Sequence, residues 1–358
     1  MPLPTIPEYS NSIKAPTLVH PTILQGGHPI EKGVRLIMYS GGFCVVFPFQ
    51  TPTKKYAVRC WHAEVANAKK RTQLIADAIR SSGLPYFVGF EYFQDGIMTT
   101  QGIQPLVVMD WVDALPLKKY IAEHVNESNI LNQVADNFLQ MVKDLHANSF
   151  SHGDLQHGNV MVRSDKSLVL VDYDSMYVPA LQGYDDEIKG LVGYQHPARW
   201  NNKQVSVKAD YFSELVIFLS LKALAKDSSL WHDLQMEDTE TLLFDADDIK
   251  SKGTSAIFQR LKRDQELQPL VDKVSEFLNK SSIEELEPLE NAITSKVDSI
   301  ARKWKIVSRP APQSKKAEVE DSGNIAKKWK TGNGYDASKN QLNEKLIENI
   351  SSKFKLPE

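Results

Sequence analysis

The eight residues His152-Gly153-Asp154-Leu155-Gln156-His157-Gly158-Asn159 constrain this chain more than any other stretch. They lie between two apolar runs. Thirteen residues beyond Asn159 stands Asp172-Tyr173-Asp174, at the end of the run Leu168, Val169, Leu170, Val171. Short apolar runs of this kind read as buried strands. An Asp, an Asn five residues on and a second Asp thirteen further, each at a strand end, is a chemically informative spacing. The plainer reading is two unrelated loops with turn-forming Asp and Asn residues.

The chain has 358 residues, enough for two domains and a tail. Its apolar share of 42% supplies two cores. A net charge of −3 gives no global attraction to nucleic acid or an anionic membrane. No apolar run approaches the ~18 residues of a membrane span. Met1 to Ser10 has no apolar stretch of the kind a secretion signal needs. Two cysteines, Cys44 and Cys60, do not make a disulfide framework, so the chain reads as cytoplasmic and reduced.

Residues 1–30, rich in Pro, Gly, Ser and Thr, read as an extended arm along the first domain. Tyr39 to Phe47 reads as strand–turn–strand around Gly41-Gly42, and Lys55 to Trp61 as a strand. Ala66 to Arg80 has helical spacing at Leu74, Ile75, Ala78 and Ile79. Leu84 to Glu91 and Gly96 to Thr100 read as two strands, and Pro105 to Val112 as another. Leu117 to His124 is a short amphipathic helix. Ile130 to Ala147 is a buried one, with Leu131, Val134, Phe138, Met141, Val142 and Leu145 in register. Asp210 opens an apolar helix over Leu215 to Leu224.

From Ser281 the character changes. Ser282 and Glu285 form a capping-box pattern, and Pro288 starts a helix with Leu289, Ile293, Val297, Ile300 and Trp304 on one face. Ser308 to Asn324 reads as a linker. Ser338 and Gln341 repeat the capping pattern. Ile300-Ala301-Arg302-Lys303-Trp304-Lys305 is echoed by Ile325-Ala326-Lys327-Lys328-Trp329-Lys330. Ala301 to Lys330 holds nine Lys/Arg against three Asp/Glu. It reads as a basic segment for an acidic partner or nucleic acid, or as a solvated helix end and linker.

The central spacing resembles the protein-kinase catalytic loop and metal triplet, H-R-D-x-x-x-x-N and D-F-G. The eight-residue stretch, Val171-Asp172-Tyr173-Asp174 with Val178-Pro179-Ala180-Leu181, and His196-Pro197-Ala198-Arg199 are similar to a bacterial group of eukaryotic-like Ser/Thr kinases. The resemblance covers about residues 30–280. It implies an α+β, bilobal protein-kinase-like fold. A small antiparallel-sheet lobe at 31–110 and a helical large lobe at 111–280 would follow the arm, with a C-terminal helical and linker extension at 281–358.

The same resemblance implies ATP and Mg as ligands and a protein substrate. Phosphoryl transfer needs a carboxylate to orient and deprotonate the acceptor and hard oxygens to hold magnesium. Asp154 would be the first; Asn159 and Asp172 would hold the metal. Gly41, Gly42 and Phe43 would form the loop over the phosphates, with Val46 and Ala57 against the adenine. Met109 would guard the pocket, and Asp110 and Val112 would offer backbone groups to the base. Met109 would serve equally as core filling. Asp210 would accept hydrogen bonds from the catalytic-loop backbone, or simply cap its helix.

The chain also departs from the pattern. Arg59 stands where kinases anchor phosphate with Lys, and no Glu is in register on the following helix. Arg71 falls nearest, and Glu64 or Asp77 are the candidate partners for Arg59. Cys44 occupies the place of a loop glycine, Gln156 that of a common Lys, and Ala198 that of a Glu. Asp174 replaces the Gly of D-F-G and reads as a turn residue bonded to local N–H groups, in preference to a third metal-facing carboxylate. Three functions stay open. The first is an ATP- and magnesium-dependent Ser/Thr protein kinase. The second is a pseudokinase that signals by contact. The third is a small-molecule kinase of the aminoglycoside or choline type, in which HGD also occurs.

Overall fold

The computed structural model describes residues 3–64 and 67–293. The chain opens with helix α1 (Ile6–Ile13). Thr5 accepts from the Glu8 N–H, and the Glu8 carboxylate accepts from the Thr5 N–H at 2.7 Å. Such a cap contributes about 1 kcal/mol. The arm at 1–30 is therefore not extended throughout. The cap and Pro7 in the first turn start a helix, and Tyr9 and Ile13 give it a face to bury.

Four two-residue strands come before the first long one: β1 (His28–Pro29), the β2 (Glu31–Lys32) and β3 (Arg35–Leu36) pair and β4 (Tyr39–Ser40), followed by β5 (Cys44–Gln50). β6 (Lys55–Trp61), α2 (Ala68–Ser82), β7 (Phe90–Thr99) and β8 (Gly102–Asp110) follow. The six-stranded antiparallel sheet has the order β1-β5-β6-β8-β7, with β4 on β5. Of the strand expected over Leu84 to Glu91, only Phe90 and Glu91 are extended, as the start of β7. α2 ends at Gly83 (φ 62), and residues 84–89 carry the chain under the sheet, where the Val88 N–H meets the Tyr173 hydroxyl at 3.0 Å. The second expected strand, Gly96 to Thr100, is the end of one longer strand. β7 shifts register between Phe93 and Ile97, where Gly96 approaches Leu106 so closely that a Cβ would overlap it.

The strand period of two divides this sheet into two faces. Val45, Phe47, Phe49, Tyr56, Val58, Cys60, Leu106 and Val108 point to one side, where Tyr9 and Ile13 of α1 cover them. Cys44, Trp61, Val107 and Met109 point to the other and join the core of the helical half, with Val46 and Ala57 packed at its margin. The register pairs Val46 with Arg59 and Ala57 with Met109. All four therefore lie on the inward face.

The helical half begins with β9 (Leu115–Pro116), α3 (Leu117–His124) and α4 (Ser128–Ala147). β10 (Val160–Val162) and β11 (Leu168–Leu170) pair antiparallel, and β9 joins on the other side of β10. α5 (Tyr211–Lys226) is buried all round, which suits its nearly unbroken apolar sequence. α6 (Ser229–Asp233), α7 (Ala246–Lys250), α8 (Ala256–Leu261) and α9 (Gln268–Leu278) complete it. His146 of α4 sits between Glu214 of α5 (2.9 Å) and Glu290 (3.0 Å), tying three segments together. The expected Ser282–Glu285 capping box forms on a short 3-10 turn, and helical residues reach 293.

The remainder of that helix, the linker, the Lys/Trp repeat and the Ser338–Gln341 pattern lie outside the described residues. Among the described residues, no helix is long and apolar enough to cross a membrane. The whole is a mixed α/β arrangement compatible with a bilobal kinase-like fold.

Candidate active site

The β10–β11 hairpin carries the site loops on its two outer ends. Residues 152–159 precede β10 and residues 172–174 follow β11. The Val171 N–H donates to the Asn159 carbonyl at 3.0 Å and stitches the loops together. Asp210, just before α5, supports the first loop from below. Its carboxylate accepts from the Gly153 N–H at 2.9 Å and from the His152 N–H. It makes no capping bond to its own helix, so its side chain serves the loop. Gly153 has φ +77, and a Cβ there would overlap the Ser175 carbonyl, so this position requires glycine.

Asn159 Nδ2 donates to the Asp154 carbonyl (2.8 Å) and to Asp154 Oδ2 (3.0 Å). This commits the amide nitrogen and leaves Oδ1 as the atom able to ligate a cation. Asp172 holds φ 67, a left-handed conformation that Asp tolerates better than most residues. Its side chain is 47% exposed. Burial pushes the Asp154 carboxyl up to about 6; the His152 charge opposes this, and the Asp172 charge adds to it. The three expected residues therefore share one electrostatic neighbourhood. Two hard oxygens, one half-open to solvent, suit magnesium, which binds through one or two protein oxygens with phosphate and water completing its shell. Among the described residues, no group of three or more His, Cys, Asp or Glu side chains could hold a metal unaided.

Arg59 reaches this neighbourhood from β6. Nη1 donates to Asp174 Oδ1 at 2.8 Å, Nη2 donates to Asp174 Oδ2, and Nη2 lies 3.1 Å from Asp172 Oδ1. This corrects two expectations. Asp174 is not a locally bonded turn residue; it is the bidentate partner of a guanidinium 115 residues away in sequence. Neither Glu64 nor Asp77 pairs with Arg59; Asp77 pairs with Arg80 at 3.1 Å instead. The reason is reach and geometry. A planar fork matches a carboxylate directly across the cleft, where a helix Glu would ordinarily come from the side. Burial works against the Arg59 charge, but Asp174 and Asp172 more than compensate and strengthen its hold on the proton.

Arg71 of α2, the residue nearest in register to the missing Glu, turns to the same loop. Its Nη2 donates to the Asp174 carbonyl (3.3 Å) and its Nη1 to the Asp185 carbonyl (3.2 Å). Tyr173 is buried between Phe87 and Phe90 and donates to the Leu170 carbonyl at 2.8 Å. Each residue of Asp172-Tyr173-Asp174 therefore touches a side chain or backbone group of the sheet half.

The hairpin residues Gly41 and Gly42 are exposed, with open space for 4 Å around the point where a Cβ would stand on either. The Gly41 N–H closes the turn on the Cys44 carbonyl at 2.9 Å. Phe43 is half-buried, and its carbonyl accepts from His62 N at 3.0 Å. Cys44 is buried on the inward face beside Arg59. At the far end, Met109 is buried in the shared core. The Asp110 N–H is taken by the Gly89 carbonyl at 2.9 Å and its carboxylate by Lys54 at 2.6 Å, so of its two backbone groups only the carbonyl remains a candidate for a base edge. Val112 packs at the core margin.

A second buried network was not foreseen from the sequence. Arg199 of His196-Pro197-Ala198-Arg199 is 1% exposed. It makes two 3.1 Å bonds to Asp186 and further bonds to the Gly153 carbonyl and to Gln195 Oε1. It thus places a cation beside the loop position where Gly153 has no side chain. The motif was legible in the sequence; that its Arg turns inward was not.

Residues 97–180 match the family described as ABC1 atypical kinase-like domain. The chain is also 26% identical over 118 residues to the cysteine-rich receptor-like protein kinase 24 of Arabidopsis thaliana. That similarity covers 32% of this chain and 18% of the relative. Over residues 97–180 the chain is thus similar to a kinase-like domain, a class that includes phosphotransferases and inactive pseudokinases.

Proposed function

We propose that this protein is an ATP- and magnesium-dependent phosphotransferase of the eukaryotic-like Ser/Thr kinase type, with residues 31–110 and 111–280 as its two lobes. The observation that carries this reading is the Asn159–Asp154 bond. It spends the Asn nitrogen on the base and leaves the Asn oxygen as the atom able to hold a cation. A turn of unrelated polar residues has no need of that division.

In this reading Asp154 accepts the proton of the acceptor hydroxyl. The acceptor oxygen bonds to the γ-phosphorus of ATP, the bond to the β,γ-bridging oxygen breaks, and ADP leaves with that electron pair. Magnesium, held by Asn159 and Asp172, would neutralise charge on the phosphates. Gly42 and Phe43 cover the phosphates with backbone N–H groups, and Gly41, whose own N–H closes the turn on Cys44, keeps the tip free of a side chain. Val46, Ala57 and Met109 pack the adenine, and the Asp110 carbonyl and Val112 meet its edge.

Arg59 has less to offer phosphate than its position suggests. A guanidinium has five N–H donors. Asp174 accepts from two of them, Nη2 also lies 3.1 Å from Asp172 Oδ1, and Nε is buried without a partner. Cys44 also hydrogen-bonds the guanidinium. Arg59 therefore acts chiefly as the counterion that holds Asp172 and Asp174 under the hairpin. The same observation favours the alternative of a pseudokinase, because a cation so occupied is a weak phosphate anchor.

The deciding experiment is γ-phosphate transfer from labelled ATP to the protein itself and to myelin basic protein, with Asp154→Asn as control. Transfer that falls by about a hundredfold or more in the variant, with ATP affinity nearly intact, supports the reading. Equal transfer in both proteins removes Asp154 from the mechanism.

A further inference from the structure

The approach to Asp154 is lined by an amide nitrogen that nothing in the fold uses. Gln195 is 2% exposed, and its Nε2 has no hydrogen-bond partner among the described residues. A buried amide donor left unpaired costs about 1–3 kcal/mol, so its retention calls for a partner from outside the chain. Its orientation is not ambiguous. The other end of the amide faces Arg199 Nη1, which can only donate, so the oxygen must lie there and the nitrogen must face away.

Gly190 marks where that nitrogen points. Gly190 has φ +74, and its backbone lies against both groups. A Cβ on Gly190 would overlap Asp154 Oδ1 and sit 2.9 Å from Gln195 Nε2. The carboxylate and the unpaired amide therefore both lie against the Gly190 backbone, close to one another. The adjacent Leu191 N–H donates to Asp154 Oδ1 at 3.2 Å, which fixes the carboxylate on that side. Gln156, two residues beyond Asp154, turns its Oε1 to its own loop, where it accepts from Gly158 N at 2.9 Å.

We infer that Gln195 is an acceptor-binding residue: its Nε2 donates a hydrogen bond to the hydroxyl-bearing group whose proton Asp154 accepts. Arg199 and Asp186 are its positioning residues. The Asp186 carboxylate orients the guanidinium, the guanidinium orients the amide, and the same guanidinium grips the Gly153 carbonyl next to the base. The acceptor class this fits is an alcohol bearing a second oxygen lone pair within reach of the amide, as a Ser or Thr side chain does.

This inference rests on the phosphotransferase reading, and the test separates the two. Gln195→Glu keeps the volume and an oxygen towards Arg199, removes the N–H and adds a negative charge. Gln195→Met keeps the volume and removes both polar atoms without adding charge. Transfer to myelin basic protein is measured at varied acceptor and varied ATP, with thermal melts alongside. The expected result is an acceptor KM raised about tenfold in both variants, the worth of one hydrogen bond, with ATP affinity within about twofold of wild type. If one variant fails to fold, the other decides. Wild-type KM and kcat in a folded variant overturn the role of Gln195 and leave the phosphotransferase standing. Acceptor KM, ATP affinity and melting temperature worsening together make Gln195 a structural strut and also overturn it. No transfer by wild type, to itself or to myelin basic protein, overturns the phosphotransferase and the acceptor role with it.

Discussion

Replacing Asp174 with alanine tests the ion pair that departs furthest from the kinase pattern. The substitution removes both charge-assisted bonds to Arg59 and leaves a guanidinium that is 7% exposed. Breaking one side of a buried pair typically costs about 3–5 kcal/mol, because the remaining charge is stranded. Asp172 Oδ1 stays 3.1 Å from Nη2 and compensates in part, which places the expected loss near the lower end, about 3 kcal/mol. At about 2–4 °C per kcal/mol for a domain of this size, the melting temperature should fall by about 6–12 °C. Arg59→Lys should cost less, since an ammonium keeps the charge and loses only the fork. The double variant Arg59→Met with Asp174→Ala should recover part of the loss, because it strands no charge. Scanning calorimetry or a dye-based melt on the four proteins suffices. An Asp174→Ala melting temperature within about 2 °C of wild type would refute the claim that this pair holds the loop to the sheet.

Three further outcomes are expected. Asp172→Ala should abolish the magnesium-dependent part of the ATP thermal shift while leaving the metal-free shift; an unchanged magnesium-dependent shift would sink the assignment of Asp172. Burial disfavours the charged His146 ring, but hydrogen bonds to Glu214 and the charges of Glu214 and Glu290 lift its pKa from 6.5 to about 9. A folded pKa above the unfolded value gives stability that is full below about pH 6.5 and lost as pH rises through about 9, so melting temperature should decline across that window and the slope should flatten in His146→Gln. A flat wild-type profile would argue against a charged His146. Finally, Arg199 already has Asp186 as its anion, so phosphatase treatment should leave activity unchanged; loss of activity would show that a phosphate at Ser175, Tyr177 or Tyr184 is needed.

Much of the architecture was legible because it follows from periodicity. β6 and α3 fall where the pattern put them, and α4 and α5 differ only at their ends. Spacing alone also brought Asp154, Asn159 and Asp172 to adjoining loops. The missed features share a physical origin. Helix α1 was hidden by Pro and Ser in its surroundings, although Thr5 and Glu8 carried a readable capping signal. The Arg59–Asp174 pair spans 115 residues, and no local pattern announces a partner so distant. Gln195, Arg199 and Asp186 are polar residues, yet all three are buried. Burial of a polar side chain depends on what folds over it, which periodicity does not encode.

Arg71 grips the loop after Asp172 by hydrogen bonds to two carbonyl oxygens, with its guanidinium also over the Tyr184 ring. A latch closed on the main chain is blind to residue identity. Substitutions at Asp185 can alter the chemistry that position presents to solvent without loosening α2. Conversely, a movement of α2 would be transmitted to the backbone beside Asp174 whatever side chain stands there. The helix is thereby coupled to the shape of the loop, and because the Arg71 charge also favours the ionised Asp174, geometry and electrostatics in this cleft move together.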